Sequence, residues 1–170
     1  MEASMLLGLS KIMDCPGGVV PFNFSLDLSD LQFGASHPVT EPVHAVGEVR
    51  NVAGVLELTG MISTTIHAVC DRCAMPFDRA VEYPVQAVLV AEGENGETED
   101  PWVFALRDDS ADLDDIVTTA FVLSMDSKLL CREDCKGLCF RCGANLNNGP
   151  CSCKPEPDSR FSVLQKLLNQ

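Results

Sequence analysis

The chain has 170 residues, 46% of them apolar, enough for one ordinary hydrophobic core with little material left for a second. Its net charge of −13 is unevenly spread: residues 1–126 carry 5 Lys/Arg against 21 Asp/Glu, whereas residues 127–170 carry 7 against 4. An acidic body of this kind opposes the wrapping of bare nucleic acid, and a tail at +3 is too weakly basic to bind phosphates on charge alone.

Residues 1–11 (MEASMLLGLSK) carry an acid where a signal peptide needs basic residues, and their apolar stretch is short. No later segment approaches the roughly 20 apolar residues of a membrane span. A soluble, cytoplasmic protein without a membrane partner is the expectation. Strands follow. Residues 19–28 (VVPFNFSLDL), 43–51 (VHAVGEVRN), 55–70 (VLELTGMISTTIHAVC) and 79–91 (RAVEYPVQAVLVA) are rich in β-branched residues and alternate in polarity. Residues 51–54 (NVAG) read as a hairpin turn. Residues 70–78 read as a second connection, which would put Cys70 and Cys73 at the lip of an antiparallel sheet. Residues 92–100 (EGENGETED) form an acidic, solvated loop, and residues 102–106 a short further strand.

The period then changes. Leu113, Ile116, Val117, Ala120, Phe121 and Leu123 fit one face of a helix, with Ser110, Asp112, Asp114 and Asp115 at its start. Carboxylates there accept from free N–H groups and complement the helix dipole, so capping is preferred to a Mg²⁺ site or an acid/base pair. Residues 127–153 are too short and too rich in Gly, Asn and Cys to form a core, so metal must substitute for burial. A linker at residues 154–157 (KPEP) leads to a final amphipathic helix, capped by Asp158 or Ser159, with Phe161, Leu164, Leu167 and Leu168 on one face. That face suits docking on the body or in a partner's groove.

The chain thus divides into an acidic β-rich body (1–126), a zinc-binding cysteine-rich segment (127–153) and a linker with a C-terminal helix (154–170). The fold class is α+β: a mostly antiparallel β-sheet body with one or two helices and a C-terminal cysteine-rich zinc knuckle.

Eight of the nine cysteines fall into close pairs, and six of them lie within the 23 residues 131–153. A tetrahedral Zn²⁺ takes four soft ligands, and a tight turn with two cysteines supplies half of them. Cys139-Phe140-Arg141-Cys142-Gly143 is such a knuckle, with glycine free to take the positive φ the turn favours. Cys151 and Cys153 complete a first zinc site after the excursion at residues 144–150 (ANLNNGP). Cys131 and Cys135 can join Cys70 and Cys73 in a second site that ties the tail to the sheet. The six tail cysteines can also share ligands in other ways, and spacing does not choose among them. A disulfide framework is disfavoured by the odd count and the lack of an export signal, and Cys15 receives no function. Dithiol redox chemistry at Cys70/Cys73 is also disfavoured, because residues 74–77 lead into a strand instead of opening a helix. Arg72, Lys136 and Arg141 are candidate contacts to RNA or a partner, with a solvated turn residue the plain alternative for Arg72. His67 precedes Cys70 by three residues but reads as an ordinary strand histidine, and His37 and His44 show no constellation.

Cys70-Asp71-Arg72-Cys73 after a long strand, Asp112-Leu113-Asp114-Asp115 opening a helix, residues 131–147 (CREDCKGLCFRCGANLN), Cys151-Ser152-Cys153 and residues 160–164 (RFSVL) together resemble the YceD-like family. Its members are described as large ribosomal RNA subunit accumulation proteins. The resemblance implies a bacterial, non-enzymatic factor for accumulation or processing of large-subunit (23S) ribosomal RNA during ribosome assembly. Phe140 departs from the proline usual in the family's knuckle, which alters turn rigidity more than metal binding. Some members keep the first cysteine pair without the tail, which leaves the second site open. Given the acidic body, the implied partners are the ribosomal RNA or its precursor, met by the tail, and a basic ribosomal protein, met by the acidic face. With no G-x-S-x-G, P-loop or dinucleotide fingerprint, an enzyme is not expected. The rival readings are a thiol oxidoreductase using Cys70/Cys73 and a zinc-ribbon transcription adaptor.

Overall fold

The alternation in residues 19–91 is realised as a meander. The computed structural model describes residues 5–34, 36–91 and 100–153. Its elements in order are β1 (Leu6–Gly8), α1 (Ser10–Met13), β2 (Val19–Leu26), β3 (Val43–Val52), β4 (Val55–Val69), β5 (Pro76–Val90), β6 (Val103–Ala105), β7 (Ser110–Asp112) and α2 (Leu113–Ser124). Strands β2 to β5 pair antiparallel in chain order, and β6 adds to β5 in parallel over Val88–Val90. The predicted loop at 92–100, apart from Asp100, and the linker and helix predicted over 154–170 lie outside the described residues.

Side-chain alternation decides which face is covered. On β4, Leu56, Leu58, Ile62, Ile66 and Ala68 are buried while Val55, Glu57, Met61 and Val69 face outward. Neighbouring strands continue the pattern in register, Ala45 opposite Ile62 and Ile62 opposite Tyr83. The β3–β4 hairpin closes through Ala53 (φ 54°) and Gly54 (φ 97°), both left-handed, as a two-residue turn matched to strand twist requires. Asn51, 1% exposed, makes this turn part of the core. Its Oδ1 accepts from Gly54 N at 2.8 Å, and its Nδ2 donates to the carbonyls of Ile12 (2.7 Å) and Met13 (2.8 Å). A buried amide is tolerated because every contact is satisfied. Gly47 and Gly60 face each other across β3 and β4, and a Cβ on Gly47 would stand 2.7 Å from Phe22 Cζ. The aromatic ring occupies the space both glycines leave.

Helix α2 covers the sheet's inner face with Leu113, Ile116, Val117, Ala120 and Phe121, the periodic set apart from Leu123, which is exposed. Phe121 meets Tyr83 edge to face, with centroids 5.7 Å apart. At the acidic start of the helix Asp112 is the cap, its Oδ1 accepting from Asp115 N at 3.3 Å, while Asp114 Oδ2 accepts from Met5 N at 3.0 Å and ties the N-terminal segment to the helix. The β1–β7 ribbon and α1, unpredicted from the sequence, close the end of this layer with the fully buried Leu9. Strand β5 begins three residues earlier than its pattern suggests, which shortens the β4–β5 connection to residues 70–75. Pro84 fits because β6 leaves β5 unpaired on that side before Val88. Among the described residues, no helix is long and apolar enough to cross a membrane.

Candidate metal centres

The β4–β5 connection is where the two halves of the chain meet. After α2, Met125 turns extended, Leu129 is buried, and the backbone locks onto the loop through Asp71. Asp71 N donates to Leu129 O at 2.8 Å, and Leu129 N donates to Asp71 Oδ2 at 2.7 Å. Arg72 fixes the following turn, donating from Nη1 to the carbonyls of Glu133 (3.2 Å) and Cys135 (3.1 Å). Its own carbonyl accepts from Leu138 N at 3.0 Å. Gly137 (φ 74°) passes so close that a Cβ there would lie 2.9 Å from Arg72 O. Glycine is required on both counts.

These contacts bring Cys70 and Cys73 from the sheet against Cys131 and Cys135 from the tail. Sulfur separations are 3.8 Å for Cys70–Cys135 and 3.7 Å for Cys73–Cys131, and all four lie within 4.8 Å of one another. Four thiolates about 2.3 Å from a central ion would stand about 3.8 Å apart, so the cluster fits a tetrahedral soft metal. Cys70, Cys73 and Cys135 are buried. The second cluster, Cys139, Cys142, Cys151 and Cys153, satisfies the same 4.8 Å criterion in a more open setting. Each cluster can therefore hold a metal ion, and the partition that spacing left open is decided by geometry.

Backbone donors prepare the sulfurs for the charged form. Burial opposes ionisation of Cys70, but N–H groups of Cys131, Cys73 and Arg72 outweigh it and bring the thiol down to about 6. The N–H groups of Cys142 and Arg141 bring Cys139 down to about 6 as well. Their partners hold the protons. Burial and the neighbouring sulfurs of Cys70, Cys73 and Cys135 push Cys131 up to about 12, and Cys142 followed by burial pushes Cys153 up to about 12. At Cys135 the Asn147 amide, 3.3 Å from Sγ, is the largest influence, and with the Gly137 N–H it lowers the thiol against the effect of burial.

The candidate contact residues differ in setting. Arg72 is engaged in the internal brace just described. Lys136 and Arg141 are exposed, with Arg141 Cζ 5.8 Å from the ring centroid of Phe140, itself 90% exposed. His67 is occupied by an acid, its Nδ1 2.7 Å from Asp78 Oδ1. Sequence reasoning missed Asp71, Gly137 and Asn147. The signal for Asn147 was present in Asn145-Leu146-Asn147: two short amides in a turn that buries no side chain need a polar job.

The family described as "Large ribosomal RNA subunit accumulation protein YceD" matches residues 58–168, from within β4 through both clusters. A maize protein, "Large ribosomal RNA subunit accumulation protein YCED homolog 1, chloroplastic", is 28% identical over 157 residues, 75% of this chain and 54% of the relative. The Arabidopsis thaliana protein of the same description is 26% identical over 163 residues, 79% of this chain and 51% of its own. An uncharacterized protein of Mycobacterium tuberculosis is 27% identical over 150 residues, 87% of this chain and 70% of its own. The chain thus spans about half the length of the plant relatives. No solved structure matches.

Proposed function

The chain belongs to the YceD family, and from that premise we propose that it is a cytoplasmic, bacterial, non-enzymatic factor supporting accumulation or processing of large-subunit ribosomal RNA during ribosome assembly. The observation that carries the reading is the match over residues 58–168, which takes in both four-cysteine clusters as well as β5, β6 and most of β4.

The metal in this reading is zinc, held by Cys70, Cys73, Cys131 and Cys135 in one site and by Cys139, Cys142, Cys151 and Cys153 in the other. Four thiolates close a tetrahedral shell and leave no position for substrate, which supports a structural ion over a catalytic one. The same closure speaks against a dithiol oxidoreductase at Cys70/Cys73, since neither cysteine stands as an accessible pair at a helix start. Zinc supplies order: it joins the tail to the sheet and shapes a surface carrying Lys136, Phe140 and Arg141. The acidic body suits a basic ribosomal protein better than naked RNA, while the tail makes the RNA contact.

Depletion followed by sedimentation of ribosomal particles and analysis of large-subunit RNA precursors tests the role. A deficit of large subunits with accumulated precursor is expected, and an unchanged profile would sink the reading. Co-sedimentation with RNA polymerase instead of ribosomal particles would favour a transcription adaptor.

A further inference from the structure

We propose that the two cysteine clusters load metal cooperatively, with Asn147 as the positioning residue that transmits occupancy of the outer cluster to the cluster on the sheet. The proposal rests on the reading of both clusters as metal sites.

Asn147 lies in the excursion between the two halves of the outer cluster, yet its side chain serves the inner one. Nδ2 donates to Cys135 Sγ at 3.3 Å and to Asn145 Oδ1 at 2.8 Å. Oδ1 accepts from Lys136 N and from Arg132 Nη2, each at 2.8 Å. One amide therefore grips the residue after Cys135, the residue after Cys131 and the sulfur itself. An N–H donated to a thiolate stabilises the charge a metal requires and fixes the sulfur's direction.

The grip depends on the excursion folding back, and besides the outer cluster only short polar contacts hold it there: the Leu138–Asn145 bridge, Asn147 N to Asn145 Oδ1 at 3.0 Å and the bonds of Asn147 itself. The short turn Leu146–Asn148 buries no residue. Its backbone returns to the inner cluster through Leu146 N to Gly137 O at 2.9 Å. The knuckle bonds, Cys139 N to Ala144 O and Gly143 N to Cys139 O, both 2.8 Å, set only its first half. The second half is anchored by Cys151 and Cys153, which meet Cys139 and Cys142 when the four sulfurs share an ion. With that ion gone, the excursion keeps only these few hydrogen bonds, and Asn147 is held less firmly on Cys135. Whichever cluster fills first therefore pre-orders the other. The coupling must be the same in both directions.

The test is site-resolved zinc occupancy on the full chain, read by thiol alkylation and peptide mass across a series of zinc–chelator buffers. Disrupting the outer cluster with Cys151→Ser and Cys153→Ser should weaken zinc at Cys70, Cys73, Cys131 and Cys135 by about 10-fold or more. Asn147→Asp keeps the acceptor oxygen but removes the donor to sulfur, and should weaken the same cluster by a similar factor. Combined, the changes should cost little more than either alone, within about 2-fold. In the reverse direction, Cys73→Ser should weaken the outer cluster by the factor the outer disruption costs the inner one. Unchanged inner affinity in either variant, or effects that multiply when combined, would overturn the proposal while leaving two zinc sites in place. A wild-type chain that retains no zinc and alkylates freely at all eight cysteines would instead remove the metal reading itself. Far-UV circular dichroism confirms that the sheet persists in each variant, and the cysteine changes, remote from the sheet core, serve if Asn147→Asp does not fold.

Discussion

The sheet body and the cysteine module meet at residues 70–75, yet different chemistry orders them. In β4 every second side chain from Leu56 to Ala68 lies on the inner face, most of it apolar and buried beneath α2. Between residues 127 and 153 the only buried side chains are Leu129, Cys135 and Cys139. Apolar area contributes about 25 cal/mol per Å² removed from water, so the body can order itself, whereas the module has almost no such area to remove. A module without a core needs bonds that converge on a point, and its six thiols, with Cys70 and Cys73 from the sheet, can supply them through metal. Order in the body is spread over many weak contacts, while order in the module is concentrated in two places. The two regions should therefore fail separately.

Chelation offers the largest separation. A structural zinc contributes on the order of 10 kcal/mol to the order of its segment at neutral pH, so stripping the metal should expose residues 127–153 to protease and hydrogen exchange while the sheet stays protected. Loss of sheet dichroism at the same chelator concentration would break the distinction. Acid should do the same by protonation. Without metal, Cys131 and Cys153 stay protonated up to about 12, and Cys73, against the pull of the Met75 N–H, is held above the ordinary thiol range by burial and the sulfurs of Cys70 and Cys135. Loading at pH 7 must therefore displace at least three protons, and affinity rises with pH. Below about 6, Cys70 and Cys139 also gain protons and the affinity falls more steeply. Calorimetric loading in buffers of different ionisation enthalpy measures the proton count, and acid titration should release the metal before the sheet melts.

The converse attack is on the core. Phe121→Ala empties a fully buried site against Tyr83 and should cost about 3–5 kcal/mol by urea unfolding, with the metal content of the folded fraction unchanged. Gly137→Ala sits at the seam: a left-handed φ and the close Arg72 carbonyl predict a loss of about 1–3 kcal/mol, seen as weaker zinc retention and not as a lower urea midpoint of the sheet. Asp112→Ala removes the α2 cap and should lower body stability by about 1 kcal/mol with no effect on zinc. A change in metal retention in that variant would mean the regions are more tightly joined than their packing suggests.

Much of this was legible in the residues. The β2 to β5 strands, the Ala53-Gly54 turn and the α2 face follow from polarity periods of two and of about 3.6, which report local geometry directly. The outer cluster was legible for a similar reason, because a Cys-x-x-Cys-Gly knuckle and Cys151-Ser152-Cys153 lie within one short excursion. Strands β1 and β7 were not, since three-residue elements carry no period and exist only because Leu9 and Ile12 pack into the core beside them.

By itself, the sequence determined that thiols would pair at close spacing and that the tail could not fold by burial, because both are properties of local composition. Which pairs come together in a cluster that can hold an ion was a tertiary decision. Residues 73 and 131 are far apart along the chain, and they meet only because α2 packs over the sheet and returns Leu129 to Asp71. The same return set Asn147 on Cys135, a contact between short polar groups whose partners no periodicity could announce. Spacing fixes the ligands within a turn, and packing fixes the distances between turns.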